Sequence, residues 1–212
     1  MDQALWQIGP VLPWLDLFGV AVFAATGALA ATQRGQTLVT LAFFALITGV
    51  GGGTVRDLLI GAPVFWVEDR LYALVCLGVA LTIWVTPQRW WNGAALVWLD
   101  AVGLGAYAVF GAAKALSFGV PPLPAAVMGV FTACVGGIIR DTLAGEPSIL
   151  MRPELYVTAA ALAATLYVGL RLLGLPSFEV AIIAAAAGFG LRGAAIYWKL
   201  ALPAYRGLPN DP

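Results

Sequence analysis

Val50-Gly51-Gly52-Gly53-Thr54-Val55-Arg56-Asp57-Leu58-Leu59-Ile60-Gly61-Ala62-Pro63 has a second copy, Cys134-Val135-Gly136-Gly137-Ile138-Ile139-Arg140-Asp141-Thr142-Leu143-Ala144-Gly145-Glu146-Pro147. Each copy sets glycines and an Arg-Asp pair inside an apolar stretch. Hydrocarbon penalises unpaired backbone and charge alike, so a doubled segment of this kind marks a route for something polar.

The match extends outward without a gap when the chain is shifted by 84 residues. Leu15-Asp16 falls on Leu99-Asp100, Gly19, Gly27 and Gly35 fall on Gly103, Gly111 and Gly119, and Thr48 falls on Thr132. Leu71-Tyr72 falls on Leu155-Tyr156. Ala and Gly richness inflates such a comparison, but the Arg-Asp, Pro and Leu-Tyr matches owe nothing to it.

The surroundings are those of a membrane protein. The 212 residues are 61% hydrophobic and 10% charged, with a mean hydropathy of +0.92; a soluble domain is about a quarter charged. Net charge is zero, which argues against a nucleic-acid partner. Trp6, Trp14, Trp66, Trp84, Trp90, Trp91, Trp98 and Trp198 sit near the ends of apolar stretches, as interfacial belts require. Asp2 and the lack of Lys or Arg before the first apolar run argue for a retained span rather than a cleaved leader.

Apolar runs of about 20 residues predict an all-α integral membrane protein with seven transmembrane helices. The spans fall at Leu12–Ala31, Thr37–Ile60, Leu71–Thr86, Ala95–Leu116, Leu123–Ala144, Pro153–Leu173 and Phe178–Lys199. Connections are short, so residues 1–212 form one transmembrane domain, with a polar, frayed tail from Leu202. Repeat 1 covers about 12–86, repeat 2 about 95–173 and an extra helix about 178–199. Three spans per repeat is odd, so the copies enter from opposite sides as a 3+3 inverted repeat. Arg34, Arg89, Arg152, Lys199 and Arg206 on one side outnumber Arg70 and Arg171 on the other. The richer side is expected to face the cytoplasm, with the N-terminus outside and the C-terminus inside.

A glycine costs a helix about 1 kcal/mol relative to alanine. Helices 2 and 5 are therefore expected to be broken at Gly51-Gly52-Gly53 and Gly136-Gly137. Bared carbonyls of Val50, Gly51, Cys134 and Val135 would then offer oxygens to a cation. Arg56 and Arg140 follow one turn later. Asp57 and Asp141 project about 100° away from them around a helix, which makes pairing within the dipeptide awkward. The symmetry suggests cross-repeat pairs, Arg56 with Asp100 and Arg140 with Asp16. For Asp16 and Asp100, structural and permeation roles stay open. Thr48 and Thr132 can line a pore or bond back to their own helix, the commoner habit. Lys114 can snorkel to the interface or sit at a mouth as a gate. Gly103, Gly111, Gly190 and Ala194 suit close helix packing.

Enzyme chemistry has little to work with. There is no histidine, no metal-spacing motif and no nucleophile with a base. Cys76 and Cys134 lie in apolar runs as small core residues without a disulfide. No cofactor is expected, and no metal beyond a permeant ion.

The Gly-Gly-Gly-x-x-Arg-Asp segment, its Gly-Gly-x-x-Arg-Asp copy and the 3+3+1 plan resemble the bacterial TRIC (trimeric intracellular cation) channels. Those overlap bacterial membrane proteins described as glycine transporters. The resemblance covers about residues 12–200. It implies a homotrimer in a bacterial inner membrane, each protomer with its own pore among lipids. Potassium would permeate, with limited discrimination against sodium, and the pore would narrow at Gly51-Gly52-Gly53 and Gly136-Gly137. The Lys-Glu-Val motif of animal members has no counterpart, since Ala115-Leu116 follow Lys114. The competing function is a secondary transporter of a small zwitterion such as glycine, whose carboxylate Arg56 or Arg140 and a helix end can hold.

Overall fold

The computed structural model describes residues 12–91 and 93–203, apart from the side chains at 12, 13, 15 and 93. Asp2, Trp6, Arg206 and the tail beyond residue 203 lie outside the described residues. Helices follow in the order α1 (Leu12–Gln33), α2 (Leu38–Ile60), α3 (Phe65–Glu68), α4 (Arg70–Val85), α5 (Gly93–Ser117), α6 (Pro122–Leu143), α7 (Val157–Leu172) and α8 (Ser177–Trp198). Five of them, α1, α2, α5, α6 and α8, are long and apolar enough to cross a membrane. The other two apolar helices, α4 and α7, have 16 residues each, or about 24 Å at 1.5 Å per residue.

The span starting at Pro153 is corrected: α7 begins at Val157. Residues before it leave the helix to pair with the chain beyond α8, where Glu154 bridges Ala201 and the Leu202 N–H donates to Pro153 O at 2.8 Å. The four-residue α3 was not foreseen.

The expected breaks do not occur. Helix α2 runs unbroken through Gly51-Gly52-Gly53, and α6 through Gly136-Gly137. The glycines are used for proximity instead. A Cβ on Gly52 would lie 2.1 Å from Thr132 O, and one on Gly136 2.6 Å from Thr48 O. As the register rises along α2 it falls along α6, so the two helices run antiparallel where they cross. The contacts are also reciprocal, as a two-fold relation between the repeats demands.

Both repeats end their central helix alike. Gly61 and Gly145 take φ of 69°, a left-handed conformation that suits glycine. The next N–H, of Ala62 or Glu146, returns to Asp57 O or Asp141 O at 2.9 Å.

Around this centre α1 packs on α2 and α5, α5 packs on α6, and α8 lies against α5 and α7. Small residues line the seams, with Ala24, Ala28, Ala108, Ala112, Ala160 and Ala164 all buried, because close approach is what holds helices together in lipid. Gly103 faces the Phe23 ring and Gly111 the Thr132 side chain. Gly190 is corrected: it is exposed and meets nothing within 4 Å, while Gly188 makes the α8–α7 approach against Ala163. Cys76 and Cys134 are buried and free.

Candidate charged centres and vestibule

Arg56 and Arg140 stand four residues beyond the crossing on antiparallel helices. They therefore head two charged centres on opposite sides of it. All their members are buried or half-buried.

The centre of repeat 2 holds Arg140 between two carboxylates. Arg140 Nη1 donates to Asp100 Oδ1 at 2.6 Å, and Nε to Asp141 Oδ1 at 2.9 Å. Asp141 Oδ2 accepts the Ile149 N–H at 3.0 Å, eight residues on. That bond ties down the short 3-10 turn at Ile149–Met151.

The centre of repeat 1 repeats part of this plan. Arg56 Nε donates to Asp57 Oδ1 at 2.8 Å, and Asp57 Oδ2 accepts the Phe65 N–H at 3.2 Å, again eight residues on. The bond fixes the start of α3. The remaining partners differ. Asp16 does not meet Arg56; its Oδ2 accepts the Tyr72 hydroxyl at 2.8 Å. The second cation on Asp57 is Lys114, whose Nζ donates to Oδ2 at 2.9 Å. The Arg56 guanidinium faces the Phe65 and Phe110 rings at 5.8 and 5.1 Å, a favourable placement for a desolvated cation.

Three expectations are thereby corrected. The dipeptide pairs do form, since the long arginine stem swings its guanidinium round to the adjacent carboxylate. The pairs Arg56–Asp100 and Arg140–Asp16 do not form, because the crossing sends the two arginines apart while α5 carries Asp100 alongside α6. Lys114 does not snorkel; it reaches across from repeat 2 to Asp57 of repeat 1 and also lies 5.6 Å from the Phe65 ring.

The oxygens expected at Val50, Gly51, Cys134 and Val135 belong to unbroken helices, and Val50 O also accepts the Thr54 hydroxyl at 2.8 Å. Gly53 lies beside Phe65 and Gly137 beside the Tyr156 hydroxyl. The Thr132 hydroxyl donates back to Met128 O at 2.6 Å, whereas the Thr48 hydroxyl is buried against Gly27 without a hydrogen-bond partner.

A cavity of ≈ 600 Å³ leads from the surface to the repeat 2 centre. Asp100, Arg140 and Asp141 form its floor, and Arg34 and Glu146 bridge its exposed mouth. Ala30 lines it at the position that Lys114 holds in the other repeat. Its wall carries Arg192 of α8, which is buried and donates from Nη2 to Glu154 Oε2 at 2.6 Å. Neither Arg192 nor Glu154 was expected. An arginine inside the last apolar run was the available signal, but no repeat counterpart drew notice to it. Among the described residues no group of His, Cys, Asp and Glu has the arrangement of a metal site.

An all-helical chain with two antiparallel copies, each carrying a glycine crossing and a buried Arg-Asp centre, is an integral membrane protein of the inverted-repeat class. The family model described as "Glycine transporter" matches it twice, over residues 13–88 and 97–172, so both ends are displaced by 84. The chain belongs to this family, and its fold is that of the TRIC channels. It is similar to a UPF0126 membrane protein of Vibrio cholerae, 36% identical over 90% of this chain and 81% of that one. It is equally similar to the UPF0126 inner membrane protein YadS of Escherichia coli K12, 36% identical over 91% of this chain and 95% of that one. Among solved structures, the trimeric intracellular cation channel orthologue from Rhodobacter sphaeroides superposes with a TM-score of 0.84 at 44% identity, covering 90% of this chain and 99% of that one. A second TRIC cation channel gives 0.82 at 29% identity, covering 92% and 98%.

Proposed function

We propose that the protein is a potassium channel with one pore in each protomer of a homotrimer in a bacterial inner membrane. The cation-channel part of this reading is supported by its structural neighbours, which are TRIC cation channels. The observation that carries it is the ≈ 600 Å³ vestibule ending on Asp100, Arg140 and Asp141. The lining as a whole is balanced at four arginines and four carboxylates, but its innermost end has two carboxylates for one guanidinium and so favours a cation there. The route continues past the Gly52–Gly136 crossing to the centre of Asp57. There Lys114 stands in the way as a tethered cation, and the pore opens when Lys114 leaves Asp57. Helices α4 and α7 complete the seven spans, and residues 1–212 act as one transmembrane domain. The side rich in Lys and Arg, with the vestibule mouth at Arg34 and Arg152, faces the cytoplasm.

A second reading, secondary transport of a small zwitterion, is favoured by one feature. The vestibule presents buried groups of both signs, Asp100 and Arg192, and the matching family model carries the description of a glycine transporter.

Purified protein in a planar bilayer under a potassium gradient separates the two. Unitary currents of many ions per opening establish the channel. Silence, with saturable glycine uptake into liposomes, establishes the transporter.

A further inference from the structure

We infer that Glu154 and Arg192 form a charge filter in the wall of the vestibule, with Glu154 cancelling a fixed positive charge that would otherwise turn cations away. The inference rests on the channel reading above and assigns its ion specificity to a pair outside the Arg-Asp motifs.

Arg192 is 2% exposed, and its guanidinium lies 5.3 Å from the centroid of the Tyr156 ring. Its Nη2 pairs with Glu154 Oε2 at 2.6 Å, while its Nε is buried without a hydrogen-bond partner. A guanidinium does not deprotonate in a protein, and its charge is therefore permanent. It lines the same cavity as Asp100, Arg140 and Asp141, so an ion at the floor passes within its field. The whole lining is balanced, with four arginines and four carboxylates; the floor is acidic by one charge, Arg34, Glu146 and Arg152 lie nearer the mouth, and in the wall the Glu154 carboxylate offsets Arg192. The Glu154 side chain is 34% exposed, on the path itself.

Glu154 does not depend on Arg192 for its place. The Ala201 bridge and the bond from Leu202 N–H to Pro153 O hold its backbone. The pair can therefore be neutralised while the segment stays where it is. Arg192 belongs to α8, which has no counterpart in the repeats, so the filter exists on one side of the membrane only.

The test is the reversal potential of the full-length protein in planar bilayers under a potassium chloride gradient, for wild type, Glu154→Gln, Arg192→Gln and the double variant. Glu154→Gln is expected to lower the potassium-to-chloride permeability ratio at least ~3-fold, the Coulomb effect of one uncompensated charge at vestibule range. Arg192→Gln is expected to raise it, and the double variant to return to within about twofold of wild type. These opposite signs distinguish a filter from a clamp. A clamp would lower the melting temperature of all three and leave their ratios at the wild-type value, and that result overturns the inference while the channel stands. Wild-type protein without unitary currents removes the channel reading and the filter together. Where Glu154→Gln yields no folded protein, Arg192→Gln decides alone: a ratio that fails to rise overturns the inference.

Discussion

The two repeats share a motif and differ in what surrounds it. In repeat 2 the arginine is shared by Asp100 and Asp141, and an open vestibule reaches it. In repeat 1 the arginine has Asp57 alone, Asp16 turns to Tyr72, and Lys114 supplies a second cation. The pivot of this difference is one pair of equivalent positions, Ala30 and Lys114. Ala30 lines the vestibule, whereas Lys114 reaches Asp57; on the channel reading proposed above, the methyl group leaves room where the lysine fills it.

The largest test strikes what the halves share. Gly52→Ala and Gly136→Ala each drive a Cβ into a backbone carbonyl of the opposite helix, a clash no rotamer relieves. Both are expected to abolish recovery of folded protein, with Gly52→Ala the worse at 2.1 Å against 2.6 Å. Gly51→Ala meets the end of the Ile139 side chain at 3.0 Å and is expected to be tolerated. Size-exclusion profiles of detergent-solubilised protein provide the readout.

Next comes the difference between the centres. Arg140→Gln strands two carboxylates and is expected to cost about 3–5 kcal/mol. Arg56→Gln leaves Asp57 still bonded to Lys114 and is expected to cost less. Thermal unfolding of the two variants in one detergent tests the order, and equal losses would erase the distinction.

The stopper itself can be moved. Lys114→Ala removes a charged hydrogen bond of about 1.5–3 kcal/mol from the closed state, so open probability should rise about tenfold or more. Ala30→Lys places the same cation within the other half, beside Asp141, and should reduce current through the vestibule. Single-channel recording checks both; an unchanged Ala30→Lys channel would mean the open half is not the passage.

The smallest effect is expected at the mouth. Arg34 and Glu146 are about half exposed, with side-chain values of 45% and 49%. Arg34→Gln should therefore change stability by under about 1 kcal/mol. The residual effect should fade between low and high salt, which melting curves at two ionic strengths would show.

The repeat and its period were legible in the sequence because identical spacings of Arg-Asp, Gly and Leu-Tyr survive any rotation of the copies, and the antiparallel arrangement followed from the odd number of spans in each. The glycines were legible as a place but misleading as a cause. Helix propensity weighs glycine by what it costs an isolated helix, whereas here the missing Cβ lets Thr132 O and Thr48 O approach. Ion-pair partners were not legible: which carboxylate an arginine meets depends on how neighbouring helices rotate. Arg140 found Asp100 in its own repeat, while the cross-repeat ion pairs came from Lys114 with Asp57 and Arg34 with Glu146, two cations without a charged twin. Arg192 stayed hidden because repeat logic says nothing about a helix that occurs once, and Glu154 because its equivalent position holds a cation, Arg70.

Asp57 and Asp141 each hold a side chain and the main chain at once, and Asp57 takes Lys114 as well. One oxygen of the carboxylate takes a guanidinium and the other takes a main-chain N–H eight residues downstream. On the channel reading proposed above, an ion that borrowed either oxygen would loosen the tie on the turn that follows the central helix, so permeation and architecture would draw on the same atoms.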